Sequence, residues 1–142
     1  MQGNLSVGQM LKQINDAIEK RVNNELRGKG LTLMQMWVLM ALRDKEDHTY
    51  ALKELEQVLG VAQSTCAGIV DRLTQKALVE RFTDSRDRRV KYVRLTSAGT
   101  ACCVDAVLSK DAGERLMMRG LSEEEQAQLM NSLKKIYHNI KG

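Results

Sequence analysis

The sequence predicts a mainly helical protein with one small β-hairpin, and three observations carry that prediction. The 142 residues include no proline, where average usage of about 5% would give roughly seven. Apolar residues recur at the three- and four-residue spacing of helices along most of the chain. The exception is residues 84–89 (Asp-Ser-Arg-Asp-Arg-Arg), a fully polar segment between two β-like runs, 79–83 and 90–95. This segment is predicted to be a hairpin tip that projects cations into solvent.

Periodicity and end signals predict four helices before the hairpin and two after it. Gly28-Lys-Gly30 ends the first helix, Thr32 can cap the second, and Gly60 stops the third. Thr96 can cap the fifth helix, and Ser122 with Glu125 forms a capping box for the sixth. The predicted helices are 5–28, 32–43, 51–59, 63–76, 96–118 and a last one from residue 122.

The third and fourth predicted helices form a helix-turn-helix. They are joined by Gly60-Val-Ala62, and glycine can take the left-handed conformation that such a turn requires. In the fourth helix Cys66, Ile69, Val70 and Leu73 fall on the inward face, and the outward face, with small and amide side chains near its N-terminus, holds Gln63, Ser64, Ala67, Gly68 and Asp71. An outward face of this kind suits a major groove. With the basic hairpin directly after it, the segment predicts a winged helix-turn-helix.

The net charge of +4 lies entirely within residues 63–94. This window holds eight Lys or Arg and four Asp or Glu, and the rest of the chain has fourteen of each sign. A local positive patch predicts a polyanionic partner such as DNA. A solvated charged face is the alternative interpretation.

Several classes of protein are not expected. No apolar run suits a signal peptide or a membrane span, so we expect a cytoplasmic protein without a membrane partner. The three cysteines form no C-x-x-C pair and the two histidines lie far apart, so no metal site or cofactor is predicted. No nucleophile, base or phosphate-loop arrangement appears, so we expect no enzyme.

The chain resembles the MarR family of transcriptional regulators. The resemblance covers about residues 31–99, and the hairpin followed by Leu-Thr-x-x-Gly is its most specific part. The matching motifs are Leu31-Thr-Leu-Met-Gln35, Leu59-Gly-Val-Ala-Gln-Ser-Thr65, Val70-Asp-Arg-Leu73, Ala77-Leu-Val-Glu-Arg81, residues 84–89 and Leu95-Thr-Ser-Ala-Gly99.

The resemblance implies a homodimer that binds double-stranded DNA at a palindromic operator, as a repressor released by a ligand or a stress signal. Residues 1–30 and 96–142 would form the dimerisation helices, and residues 31–95 the DNA-binding domain. The long apolar stripes of the flanking helices also favour a homodimer. Helices that are apolar over more than one face usually bury the additional apolar surface against a partner.

Site residues follow from position and resemblance. The recognition helix begins with Gln63, Ser64 and Thr65, which are predicted to contact bases and phosphates. The alternative for Thr65 is a capping or intrahelical role. Arg72 matches a family position near the phosphate backbone. At the wing tip, Arg86 and Arg88 are predicted to enter the minor groove. An ion pair between Asp87 and Arg89 is predicted to brace the wing, with simple solvation of Arg89 and Arg94 as the alternative.

Four residues depart from the family pattern. Ala62 replaces a capping serine, Gly68 replaces a larger polar or basic residue, Glu56 replaces a small residue, and Ala77 replaces glycine at a helix end. A lost cap and a mid-helix glycine each cost about 1 kcal/mol. We therefore expect the recognition helix to make fewer contacts with base edges here. The wing would then contribute a larger share of the affinity for DNA.

Two sensing mechanisms and one different function remain open. A small aromatic or apolar effector could bind in a cleft lined by Met36, Trp37, Met40 and Tyr50, which could equally be ordinary core. Alternatively, Cys66, Cys102 or Cys103 could respond to oxidation, although all three could be structural. A winged domain that binds proteins and no operator is the alternative function.

Overall fold

The computed structural model describes residues 3–142. It confirms a mainly helical winged-helix fold with a small antiparallel sheet. In chain order the elements are α1 (Val7–Gly28), α2 (Leu33–Asp44), β1 (Thr49–Ala51), α3 (Leu52–Leu59), α4 (Gln63–Gln75), β2 (Val79–Thr83), β3 (Lys91–Leu95), α5 (Ser97–Met117) and α6 (Glu123–Lys141).

Capping boxes begin three of the helices. The predicted cap at Thr32 pairs with Gln35 in α2, and the predicted box of Ser122 and Glu125 opens α6. A third box, Ser6 with Gln9, starts α1 at Val7 rather than at residue 5. The Ser-x-x-Gln pattern that sets this start is readable in the sequence.

The sheet has one strand more than the predicted hairpin. β2 and β3 pair antiparallel with Val79 opposite Leu95, and β1 pairs with the other edge of β3. β1 has only three residues, too few for an alternating pattern to be recognised. Ala51, predicted to begin the third helix, is therefore the last residue of β1 and the N-cap of α3. The second hairpin strand begins at Lys91, one residue later than predicted.

The core lies between α2, α3, α4 and the inner face of the sheet. Its fully buried side chains include Leu39 of α2, Leu55 of α3, Val70 and Leu73 of α4, and Val93 of β3. Three of the four residues predicted to face inward on α4 are buried, and Ile69 is half-buried. The buried face of α4 therefore sets which of its residues point outward.

The chain divides into two compact units, one ending at Cys103 and the other comprising Val104–Gly142. In the second unit, Gly120 has a positive φ of 87° in the turn between α5 and α6. Large apolar side chains remain exposed on its helices: Val104, Leu108, Leu116, Met117, Leu129, Met130, Tyr137 and Ile140. Among the described residues, no helix combines the length and the apolar character needed to cross a membrane.

The connection from α4 to β2 is tied to the start of α5. The Thr96 hydroxyl donates to the Ala77 carbonyl at 2.7 Å and accepts from the Gly99 amide at 3.1 Å. The Thr96 amide donates to the Leu78 carbonyl at 3.1 Å. A Cβ on Gly99 would overlap the Leu78 carbonyl oxygen and lie 2.6 Å from Leu95 Cδ1. The Leu-Thr-x-x-Gly motif therefore has a packing reason, in addition to capping α5.

We expect Gly99→Ala to lower the free energy of unfolding by about 3 kcal/mol, because the added methyl group overlaps a backbone carbonyl. Urea unfolding followed by circular dichroism measures the change. Gly68→Ala is a matched control, since Gly68 is also helical but has no atom within 4 Å of an added Cβ. It should raise stability by about 1 kcal/mol. Equal effects of the two substitutions would contradict the steric argument.

We expect Ala77→Gly to raise the free energy of unfolding by about 0.5–1 kcal/mol. Ala77 has a φ of 61°, and the left-handed region costs a residue with a Cβ about 1–2 kcal/mol, part of which the extra chain entropy of glycine offsets. Ala67→Gly, inside α4, is the control and should lower stability by about 1 kcal/mol. Losses of similar size for both variants would refute this account of Ala77.

Candidate nucleic-acid interface

The first turn of α4 presents polar side chains and an uncapped helix end. Gln63, Ser64 and Thr65 are exposed. Ala62 occupies the N-cap position and makes no side-chain hydrogen bond, because its methyl group has no acceptor atom. The first amides of α4 are therefore left without a capping side chain, and helix N-termini with free amides favour anions such as phosphate.

The turn before α4 has the predicted left-handed glycine. Gly60 has a φ of 66° and a ψ of 33°, and its amide donates to the Glu56 carbonyl at 2.9 Å. Gly68, farther along α4, is exposed with open space around it. Gly68 therefore leaves a position without a side chain between the polar first turn and Arg72, which is exposed near the end of the helix.

An ion pair joins the recognition helix to the wing. Arg81 Nη1 of β2 lies 2.5 Å from Asp71 Oδ1 of α4. Asp71 was predicted to lie on the outward face of the helix and is half-buried. Because its carboxylate forms an ion pair with a strand residue, Asp71 links α4 to β2 and neutralises the Arg81 charge.

Two aspartates shape the wing tip. Asp84 Oδ1 accepts from the Arg86 amide at 2.9 Å, and Asp87 Oδ1 accepts from the Arg89 amide at 3.1 Å. Such bonds to the amide two residues on fold the chain into turns. The intervening Arg86 and Arg88 side chains are exposed.

Arg89 forms an ion pair with Asp87. Its Nε and Nη2 atoms lie 3.0 and 3.2 Å from the two carboxylate oxygens. The Arg89 guanidinium lowers the pKa of the Asp87 carboxyl, and the Arg89 amide lowers it further. The pair is solvent-exposed, so its contribution is to the shape of the wing rather than to the stability of the fold.

A second ion pair crosses the outer face of the hairpin. Arg94 Nη2 lies 2.6 Å from Glu80 Oε1 of the facing strand. The Arg94 guanidinium carbon also lies 4.6 Å from the centre of the Phe82 ring, which stacks on Tyr92 at 5.3 Å. Arg94 is therefore held against the sheet rather than freely solvated.

These pairs show where the positive charge is left unbalanced. Within residues 63–94, three cations are matched by three acids through the pairs of Arg81, Arg89 and Arg94. One acid, Asp84, and five cations remain: Arg72, Lys76, Arg86, Arg88 and Lys91. Among the residues that the structure describes, none of these five forms an ion pair. The unbalanced charge therefore lies on the recognition helix and the wing.

Sequence reasoning did not anticipate the contacts of Lys76. The sequence placed this residue only among the eight basic residues of 63–94, whereas in the structure its ammonium donates to Gln35 Oε1 at 3.0 Å and to the Gly30 carbonyl. Gln35 is 41 residues away and is the N3 residue of a capping box. No local pattern predicts a pair that only the packing of α2 against α4 creates.

The cysteines lie in different surroundings. Cys66 and Cys103 are buried and Cys102 is half-buried. Burial raises the pKa of the Cys66 thiol, and the nearby Glu56 raises it further. Burial also raises the pKa of the Cys103 thiol, which donates to the Leu39 carbonyl at 3.5 Å. A raised pKa lowers the fraction of reactive thiolate.

An open cleft of about 340 Å³ lies where α1 meets α2. Its lining residues are Asn23, Leu26, Arg27, Gly30, Leu31, Thr32 and Leu33. The four residues predicted to line an effector cleft are not among them. Met36 is buried, Trp37 is 52% exposed, and Met40 and Tyr50 are half-buried.

Comparison with known proteins agrees with this geometry. The sequence model of the MarR family matches residues 29–90. Wild-type MarR from E. coli is 28% identical, with a TM-score of 0.73, over 94% of this chain and 97% of that protein. MepR from Staphylococcus aureus, a transcription regulator of the multidrug efflux pump MepA, is 20% identical with a TM-score of 0.87 over 96% and 99% of the two chains.

A mutant of MepR was solved bound to an oligodeoxyribonucleotide; it is 21% identical with a TM-score of 0.77 over 96% of this chain and 99% of that one. The family match covers the helix-turn-helix and the wing tip, and the structural matches extend over nearly the whole chain. The matched proteins are regulators, so the prediction that the chain is not an enzyme is confirmed. The match of residues 29–90 to the family model and the structural likeness to MarR and MepR together support a winged-helix regulator of the MarR family.

Proposed function

We propose that this chain is a homodimeric, sequence-specific regulator that binds double-stranded DNA and acts as a repressor released by a small ligand or a stress signal. The observation that carries the proposal is the unbalanced positive charge on α4 and the wing, which remains after Arg81, Arg89 and Arg94 are paired with acids. Phosphate neutralisation supplies most of the affinity of proteins for DNA.

Each site residue has a place in this proposal. The polar first turn of α4 would lie in the major groove, with Gln63, Ser64 and Thr65 near base edges and phosphates. Arg72 would contact the phosphate backbone. Arg86 and Arg88 would enter the minor groove, while Asp87 and Arg89 hold the tip in shape. The structure of the related MepR mutant bound to an oligodeoxyribonucleotide supports DNA as the partner.

The exposed apolar side chains of the flanking helices support the homodimer. In α1, Val7, Met10, Leu11, Ile14 and Val22 are exposed, as are eight large apolar side chains of the second unit. Apolar surface on this scale is typical of an interface between subunits. Two copies would place two recognition helices about one turn of DNA, ~34 Å, apart on a palindromic site.

The proposed effector is a small aromatic or apolar molecule. The cleft between α1 and α2 is of a size suited to one, with Leu26, Leu31 and Leu33 on its walls. Met36, Trp37, Met40 and Tyr50, which the sequence predicts to line an effector cleft, do not line this one.

Selection of bound duplexes from a random pool, followed by sequencing, tests the proposal. We expect enriched palindromes whose half-sites are about ten base pairs apart. Their affinity should fall steeply with salt as counterions return to the phosphates. If no duplex is enriched, DNA binding is excluded and the winged domain is better explained as a protein-interaction module.

We expect Arg86→Ala to weaken operator binding about tenfold and Gln63→Ala about threefold, because the wing is proposed to carry the larger share. Fluorescence anisotropy with the selected duplex measures both affinities. Lys20→Ala, which removes an exposed cation of α1, controls for the change in net charge. A larger loss for Gln63→Ala than for Arg86→Ala would refute the larger role of the wing.

We expect Cys102 to react with a thiol reagent at pH 7 before Cys66 and Cys103, which should react at least about tenfold more slowly than in unfolded protein. The reason is their burial and raised pKa. Mass spectrometry of time points identifies the modified residue. Rapid oxidation of Cys66 by peroxide with loss of DNA binding would favour a redox-responsive regulator instead.

A further inference from the structure

Lys76 joins three elements at the end of the recognition helix. It is the C-cap residue of α4, and its ammonium reaches Gln35 Oε1 in α2 at 3.0 Å and the Gly30 carbonyl in the connection between α1 and α2. Its acceptors are neutral, so this contact uses hydrogen bonds and leaves the charge uncompensated.

The acceptor in α2 is held in place. Gln35 is 4% exposed and is a buried polar residue within the core. Its Oε1 also accepts from the Thr32 amide at 3.2 Å, and its own amide donates to the Thr32 hydroxyl at 3.1 Å. Because the capping box fixes the orientation of the side-chain amide, Gln35 offers Lys76 a rigid anchor rather than a mobile one.

Lys76 lies at the opposite end of α4 from the proposed DNA contacts, so a small tilt of the helix at Lys76 would displace those contacts. Lys76 lies 13 residues after Gln63, which is about 20 Å along a helix axis. A tilt of about 3° at the C-terminal end therefore moves the first turn by about 1 Å. A displacement of this size is enough to lengthen hydrogen bonds between first-turn side chains and base edges beyond their useful range.

We propose that Lys76 is a positioning residue for the recognition helix and does not contact phosphate. The inference rests on the proposed function, since it concerns how α4 is presented to DNA. It separates Lys76 from Arg72, Arg86, Arg88 and Lys91, the other cations of residues 63–94 that form no ion pair within the part of the chain that the structure describes.

Salt-dependent titrations of the selected duplex test the proposal. Lys76→Met keeps an unbranched side chain as far as Cε but removes the ammonium donor. It should weaken binding about fivefold, a modest loss because Lys76 is exposed. The slope of log affinity against log salt should stay unchanged. Arg72→Met, at a proposed phosphate contact, should reduce that slope by about one.

Variants of Gln35 supply a second, independent measurement. Gln35→Met should weaken binding as Lys76→Met does, and adding Lys76→Met to it should cause no further loss. Gln35→Glu keeps both acceptor functions and should preserve affinity. Gln9→Met is the matched control, because Gln9 holds the same capping-box position in α1 and, within the described residues, its side chain bonds only the Ser6 amide.

The outcomes are separable. A slope reduced by about one in Lys76→Met would show a phosphate contact and overturn the inference. Full affinity of Lys76→Met, or additive losses in the double variant, would also overturn it. If the wild-type chain binds no duplex at all, the proposed function fails and the inference fails with it.

Discussion

The winged domain depends on how closely the first turn of α5 approaches the connection between α4 and β2. Gly99 lies against the Leu78 carbonyl where no Cβ would fit, and Thr96 bonds both Ala77 and Leu78. This contact sets where β2 begins after the recognition helix. Since β2 carries the wing, the position of the wing relative to α4 follows from the same few atoms. Ala77 completes the turn in a left-handed conformation that its Cβ disfavours.

The distribution of charge follows from that arrangement. Because β2 runs beside α4, Arg81 reaches Asp71, and because β2 pairs with β3 in register, Glu80 faces Arg94. These acids neutralise the cations that lie within the sheet and against the helix. The wing tip lies beyond the paired strands, so Arg86 and Arg88 have no facing acid there. Pairing within the fold therefore concentrates the available charge where a polyanion could reach it.

The local features of the fold were predictable because their causes are local. Helix caps such as Thr32 and Ser122 depend on residues three positions apart, and the left-handed Gly60 depends on a single residue type. The inward face of α4 followed from helical spacing, with Cys66, Val70 and Leu73 buried as expected. β1 was missed because three residues form a strand only when β3 is already beside them.

By itself the sequence determined the order of the helices, the position of the hairpin and the window that holds the net charge. These depend on spacing, side-chain type and composition, which the chain carries without folding. Apart from the local pair of Asp87 and Arg89, only the tertiary structure decided which cations bond to other groups of the protein. Lys76 reaches Gln35 across 41 residues and Arg94 meets Glu80 across 14. Such partners are chosen by the packing of α2 against α4 and by strand register, and neither is encoded in any short segment of the chain.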